Sequence, residues 1–209
     1  MSLNQDGAII ILSSPSGAGK TTLVKKLSIL KKYKISVSYT TRTPRSNEIN
    51  GKDYFFVSKE DFKKLIDQKQ LLEHATVFNN YYGSSKNKVF KMLDEGQHVI
   101  FDIDWQGAQQ IKKINSKYNL ISFFILPPSK ETLINRLSER EKNDKIIDER
   151  MKNFKSDVIH WEDYDYVVIN DNLEICLQKI VSFIESSFSE KNYDYDKRLI
   201  YDHVKKLIK

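Results

Sequence analysis

The stretch Ser14-Pro-Ser-Gly-Ala-Gly-Lys-Thr21, followed by Thr22, combines small residues, a lysine and hydroxyls in an order suited to holding phosphate. Small residues let successive backbone N–H groups turn inward around phosphate oxygens, and a helix starting there adds the positive end of its dipole. Against the pattern Gly-x4-Gly-Lys-Ser/Thr, residues Gly19, Lys20 and Thr21 match, and only the first position departs, where Ser14 replaces glycine. Serine fits there provided the position does not need positive φ. In such a loop the lysine reaches the β- and γ-phosphates of a nucleotide and the threonine hydroxyl sits on Mg2+. A glycine-rich strand-to-helix turn with no ligand is the competing reading. The apolar run before the loop and the helical pattern after it argue against that reading.

Arginine usage gives the second signal. The chain has 28 lysines and only six arginines, yet five of the six fall in two segments: Arg42 and Arg45, then Arg136, Arg140 and Arg150. Guanidinium is planar, permanently charged and able to grip phosphate with two parallel hydrogen bonds, which an ammonium cannot do. Two phosphate-gripping sites follow from this, unless the clusters are ordinary surface ion pairs. Other chemistry finds less support. His74, His98, His160 and His203 have no ligand spacing with one another or with Cys176, so a zinc site is not expected. Cys176 reads as a packed thiol, and no serine sits in a nucleophile elbow.

These residues are positioned by an alternating pattern. Ala8–Leu12 is a short apolar run that reads as a buried strand, and Leu23, Val24, Leu27 and Leu30 follow the loop at helical spacing. Residues 35–57 read as strand and loop, 59–69 as a short helix, and 71–83 as extended chain. Further strands are expected at 98–102, 120–126 and 166–169, with helices near 86–95, after Asp104, and at about 129–139, 146–159 and 172–188. A helical tail begins near Tyr193. Alternating β and α elements imply a covered parallel sheet, and the denser β segment at 35–83 reads as an insertion. At 209 residues, with 40% hydrophobic and 30% charged residues, the chain suits one domain with a small insertion. No apolar run approaches a membrane span, the first residues do not resemble a signal peptide, and one cysteine excludes an intramolecular disulfide. A cytoplasmic protein is expected.

Five segments in order make the sequence resemble the guanylate kinase family, its bacterial members most. They are the loop at 14–21, Thr40-Thr-Arg-Thr-Pro-Arg45, Asn50-Gly-Lys-Asp-Tyr54, Tyr81-Tyr-Gly-Ser84 and Asp102-Ile-Asp-Trp-Gln-Gly107. The resemblance runs from about residue 7 to 186. It implies an α/β P-loop nucleoside monophosphate kinase fold with a parallel core sheet, an inserted GMP-binding subdomain and a lid. It implies transfer of the γ-phosphoryl group of Mg-ATP to GMP, and to dGMP as well, giving ADP and GDP. On this reading the chain divides into core at 1–34, GMP-binding subdomain at 35–90, core at 91–138, lid at 139–150, core at 151–190 and tail at 191–209.

The resemblance also carries residue roles. ATP would be held by Ser14, Pro15, Ser16, Gly17, Ala18, Gly19, Lys20, Thr21 and Thr22, with Arg136 along the adenine and Asn170 near it. GMP phosphate would be gripped by Arg42, Arg45, Tyr54 and Tyr82, with Glu48 orienting the arginines and Ser84 a further contact. Guanine would meet Glu73, Ser38 and Asp102, and Mg2+ would meet Thr21 directly and Asp102 through water. Catalysis would rest on Lys20, Arg42, Arg136, Arg140 and Arg150. Guanine presents two adjacent N–H donors that one carboxylate can accept, which is chemistry suited to Glu73; read without the resemblance, an exposed strand carboxylate is the favoured reading of Glu73. The lid departs from the family pattern: the usual glycine after the first lid arginine is missing, and the segment to Arg150 is one residue short. The alternative is a catalytically inactive guanylate-kinase-like module that binds phosphopeptides; the intact Gly17, Gly19, Lys20 and Thr21 speak against it. Two anionic substrates account for the net charge of +6, so neither nucleic acid nor a membrane is invoked as partner. The basic tail could serve as a surface for a homo-oligomer.

Overall fold

The computed structural model describes residues 6–114, 117–140, 143–189 and 196–209. Its centre is a five-stranded sheet in the order β2-β7-β1-β8-β9, formed by Lys34–Ile35, Val99–Asp102, Ile9–Ser13, Leu120–Leu126 and Tyr166–Ile169. Every pairing is parallel, with Ile10 opposite Ile100 on one side and Ile121 on the other. The parallel core expected from the alternating pattern is therefore present. Strand β1 is buried along its whole length because helices cover both faces of the sheet.

Successive side chains of a strand point to opposite faces, and the core divides accordingly. Ile10, Leu12, Ile100, Phe123 and Ile125 pack against α1 (Lys20–Lys31) and α7 (Leu173–Phe188). Ile9, Ile11, Phe101, Phe124 and Leu126 pack on the other side against α3 (Lys86–Asp94), α4 (Trp105–Lys113), α5 (Lys130–Arg140), α6 (Asp144–Val158) and α8 (Lys197–Ile208). Leu30, expected to join the apolar stripe of α1, is instead 59% exposed on the last turn, beyond the packed cluster. The C-terminal tail folds back on its own chain. Ile200, Val204 and Leu207 are buried in the core, and the His203 Nε2 atom lies 2.9 Å from the Pro127 carbonyl oxygen. No helix among the described residues is long and apolar enough to cross a membrane.

The second sheet has four strands in the order β4-β3-β6-β5: Phe55–Phe56, Tyr39–Thr40, Asn80–Ser85 and Leu71–Val77. Its β5–β6 hairpin turns at Phe78 and Asn79, both at positive φ (47° and 60°). Helix α2 (Lys59–Asp67) closes one side with the fully buried Phe62. Strand β5 is tied to the core sheet through α4. The Gln110 side chain donates to the His74 carbonyl at 2.6 Å and accepts from the His74 N–H at 3.1 Å.

Candidate active site

A cavity of about 730 Å³ opens at the carboxyl ends of β1 and β7, between the core sheet and the four-stranded sheet. That is where open α/β sheets hold their ligands. Residues 14–19 form one wall. Gly17 and Gly19 have φ of 90° and 94°, values that disfavour any side chain, whereas Ser14 lies outside the positive-φ set. The departure at the first loop position is thus free of backbone strain. Helix α1 begins after Gly19 with no side-chain cap and no acidic residue in its first turn, so its N-terminal N–H groups remain available to an anion.

The loop is held from behind. The buried Asn170 donates from Nδ2 to the Ala18 carbonyl at 2.8 Å, and a Cβ on Gly19 would stand 2.3 Å from that nitrogen. Arg136 on α5 donates to the Asn170 carbonyl at 3.0 Å, and Arg150 on α6 donates to the Ser16 hydroxyl at 2.7 Å. Lys20 Nζ lies 2.6 Å from Asp102 Oδ1 and donates to the Ile103 carbonyl at 2.9 Å. Thr21 and Thr22 line the cavity from the first turn of α1.

The opposite wall carries the second arginine cluster. Arg42 donates to both oxygens of Glu48 at 2.7 and 2.9 Å, and Arg45 reaches the same carboxylate from its backbone N–H at 2.8 Å and its side chain at 3.2 Å. Burial alone would raise the Glu48 carboxyl, but these hydrogen bonds hold it below the ordinary range. The Arg42 guanidinium stands 5.4 Å from the Tyr54 ring, and the Tyr54 and Tyr82 rings are 6.0 Å apart. Burial pushes the Tyr54 phenol well above its usual range, so it stays a protonated donor.

Deeper in, Glu73 is 2% exposed and pairs across the hairpin with Ser84, while the Ser84 hydroxyl lies 3.4 Å from that of Ser38. The exposed-carboxylate reading of Glu73 therefore fails. A register irregularity between Leu71 and Glu73 breaks the in–out alternation, so Leu72 and Glu73 are both buried. Burial, and then the charge of Asp104, push the Glu73 carboxyl up to about 7, against hydrogen bonds from Ser84. Glu73 Oε1 has no hydrogen-bond partner among the described residues.

Of the residues nominated from sequence, Ala18, Glu48 and Ser84 stand behind the wall, and the Arg140 side chain lies outside the described residues. All the others line the cavity. The structure adds residues that were not nominated. Asp104 faces Glu73 and caps α4, accepting from the Gly107 N–H at 3.1 Å. Asp157, hydrogen-bonded to Trp105, has its carboxyl pushed up to about 6 by burial and by Asp104. Its seven-residue spacing from Arg150 on one helix was the available signal. Phe78 sits 5.4 Å from the Arg150 guanidinium in a strained left-handed conformation, and no glycine in the turn between β5 and β6 announced it.

A glycine-containing strand-to-helix loop and a buried carboxylate thus face one cavity. Residues 6–187 match the family model described as guanylate kinase. The chain belongs to the guanylate kinase family. It is 46% identical over 192 residues to the guanylate kinase of Blochmanniella floridana, covering 90% of each chain. It is 45% identical to that of Rickettsia prowazekii, covering 93% of this chain and 98% of the relative. The crystal structure of guanylate kinase from Anaplasma phagocytophilum superposes with a TM-score of 0.73 at 36% identity, over 88% of this chain and 87% of that one. Guanylate kinases are nucleoside monophosphate kinases, ATP:GMP phosphotransferases, and the P-loop kinase fold expected for this chain is the one observed.

Proposed function

We propose that the cavity holds ATP and GMP end to end, with the donor on loop 14–22 and the acceptor between Arg42, Arg45, Tyr54, Tyr82 and Glu73. The observation that carries this reading is that the buried Glu73 oxygen, without a hydrogen-bond partner among the described residues, and the 14–19 loop lie on one cavity. A carboxylate in a water-poor pocket accepts two N–H groups from guanine, whereas adenine would leave it facing an acceptor. Arg42 and Arg45 supply forks, and Tyr54 and Tyr82 supply hydroxyls, for a dianionic phosphate. Glu48 fixes the forks by holding both arginines.

On the donor side, α1's uncapped N–H groups and Lys20 stabilise charge on the β- and γ-phosphates. The Thr21 hydroxyl and the Asp102 carboxylate offer hard oxygen donors on the cavity wall, which suits Mg2+. When bound with ATP, that ion supplies charge neutralisation on the phosphate oxygens. Arg136, Arg140 and Arg150 belong to α5 and α6, the segment assigned as lid and flanks, and Arg150 reaches the loop through Ser16. Their closure would exclude water and align the two nucleotides, with no covalent intermediate. The insertion at 35–90 and the lid at 139–150 are the parts assigned to move against the core. The same acceptor contacts serve dGMP, since none involves the 2′-hydroxyl. The reaction is one of purine nucleotide metabolism, and the cytoplasm is its expected place.

A coupled assay of ADP formation from Mg-ATP, with GMP, dGMP, AMP, dTMP, UMP and water as acceptors, tests this reading. Turnover confined to GMP and dGMP is expected. ATP hydrolysis independent of GMP as the main reaction would overturn it.

A further inference from the structure

We propose that Gly107 is a specificity-positioning residue: the missing side chain at this point of α4 is what allows the Glu73 carboxylate to stand where it meets the base. The inference rests on the assignment of Glu73 to guanine made above. Gly107 is the third residue of α4 and is buried. Its φ is not in the left-handed region, so the backbone does not ask for glycine. Glycine is the poorest helix former after proline, so the helix does not ask for it either. A packing demand remains, and the structure shows it. A Cβ on Gly107 would stand 2.4 Å from Glu73 Oε2 and 3.0 Å from Glu73 Cδ, with Ile103 Cδ1 next at 3.4 Å.

The helix cannot step back to make room. Asp104 caps it through the Gly107 N–H, and the next residue, Ala108, and Ile111 one turn on are buried in the core. Nor can the strand, because two glutamines of the same helix read its backbone beside Glu73. Gln110 both donates to and accepts from His74, and Gln106 donates to the Thr76 carbonyl at 3.2 Å. The group that must yield is the end of the Glu73 side chain, which has the cavity in front of it. A methyl group at position 107 therefore leaves the fold intact and pushes the selecting carboxylate off its seat.

The test is a steady-state comparison of Gly107→Ala, Glu73→Gln, the Gly107→Ala/Glu73→Gln double variant and the parent, with GMP and IMP as acceptors. IMP lacks the 2-amino group and reports the hydrogen bond at issue. For Gly107→Ala the expected result is a KM for GMP raised about 10- to 100-fold, the size of losing a charged hydrogen bond. The preference for GMP over IMP should fall by about tenfold, while the KM for ATP and the melting temperature stay close to the parent's. In the Glu73→Gln background the same substitution should add little, because the interaction it disturbs is already gone. An unchanged KM for GMP in Gly107→Ala, or equal effects in the two backgrounds, would overturn the role of Gly107. An unchanged KM for GMP in Glu73→Gln would instead overturn the assignment of Glu73, and with it this inference. Should Gly107→Ala fail to fold, Gly107→Ala/Glu73→Asp decides. The shorter carboxylate makes room, so recovery of folding supports the clash with Glu73 and continued failure refutes it.

Discussion

The two walls of the cavity are built from different materials. Loop 14–19 shapes its side with backbone: two glycines at φ 90° and 94°, a helix start without a side-chain cap, and one long cation, Lys20. The opposite wall is an array of side chains brought in by separate segments, with Arg42 and Arg45 after β3, Tyr54 before β4, Glu73 on β5 and Tyr82 on β6. Backbone donors must be contiguous to surround one phosphate, so the first wall fits in a single short motif. Side-chain recognition needs only that strands converge, so the second wall is scattered over more than forty residues. Under the proposed assignment the first wall answers to main-chain changes and to the loss of Lys20 alone, the second to the loss of any of several side chains, and each can be damaged without the other.

The largest expected effect tests that separation. Lys20→Ala should lower kcat by about 10³-fold, the scale of removing one preorganised charge from a phosphoryl-transfer site. GMP affinity, measured by calorimetry on the same variant, should stay within about twofold of the parent, because no acceptor contact is removed. Lys20 is bonded to Asp102, the residue shared between the walls. A fall in GMP affinity matching the fall in kcat would therefore show that the two walls act as one unit.

This contrast also explains what was legible in the sequence. The loop, both arginine clusters and nearly every element could be read in advance, because contiguity, residue type and periodicity are local properties. The burial of Glu73 could not. Alternation along β5 would turn one of Leu72 and Glu73 outward, and the irregularity at Leu71–Glu73 that buries both is a property of the pairing with β6. Asp104 was visible only as the residue before a helix, and its position against Glu73 depends on α4 being seated on β5 by Gln106 and Gln110. The tail was read as helical, but that its apolar face packs on its own chain depends on tertiary contact at Ile200, Val204 and Leu207.

The acceptor wall makes a smaller, pH-dependent prediction. Burial holds the Glu73 carboxyl at about 7, so in the free enzyme it gains a proton as pH falls through neutrality and loses acceptor capacity toward guanine. The kcat/KM for GMP should therefore fall by about tenfold per pH unit below that point, with the KM for ATP little changed. GMP's own phosphate titrates near pH 6. The bend near 7 should vanish in Glu73→Gln while the bend near 6 persists. Stability gives the matching sign. A carboxyl raised from 4.5 to about 7 in the folded state binds more protons there than in the unfolded chain, so stability declines as pH rises across that interval. At pH 8, Glu73→Gln should be more stable than the parent by about 1–3 kcal/mol in denaturant titrations. A less stable variant would mean that the charged carboxylate is better solvated by Ser84 than its burial implies.

The smallest effect is expected at Ser14, and it sharpens the description of the first wall. If that wall works through main-chain conformation, what matters at each loop position is φ and not residue identity. Gly17 and Gly19 occupy the left-handed region, and Ser14 does not. Its hydroxyl donates to the Pro15 carbonyl at 2.9 Å, a local bond whose net worth is about 1 kcal/mol or less. Restoring the pattern with Ser14→Gly should therefore change the KM for ATP by less than about threefold, since glycine adds chain entropy but relieves no strain. Gly19→Ala should raise that KM far more, because the new Cβ meets both a positive φ and the Asn170 amide. Should Ser14→Gly instead tighten ATP binding by tenfold or more, the serine side chain, and not the backbone alone, would be shaping the loop.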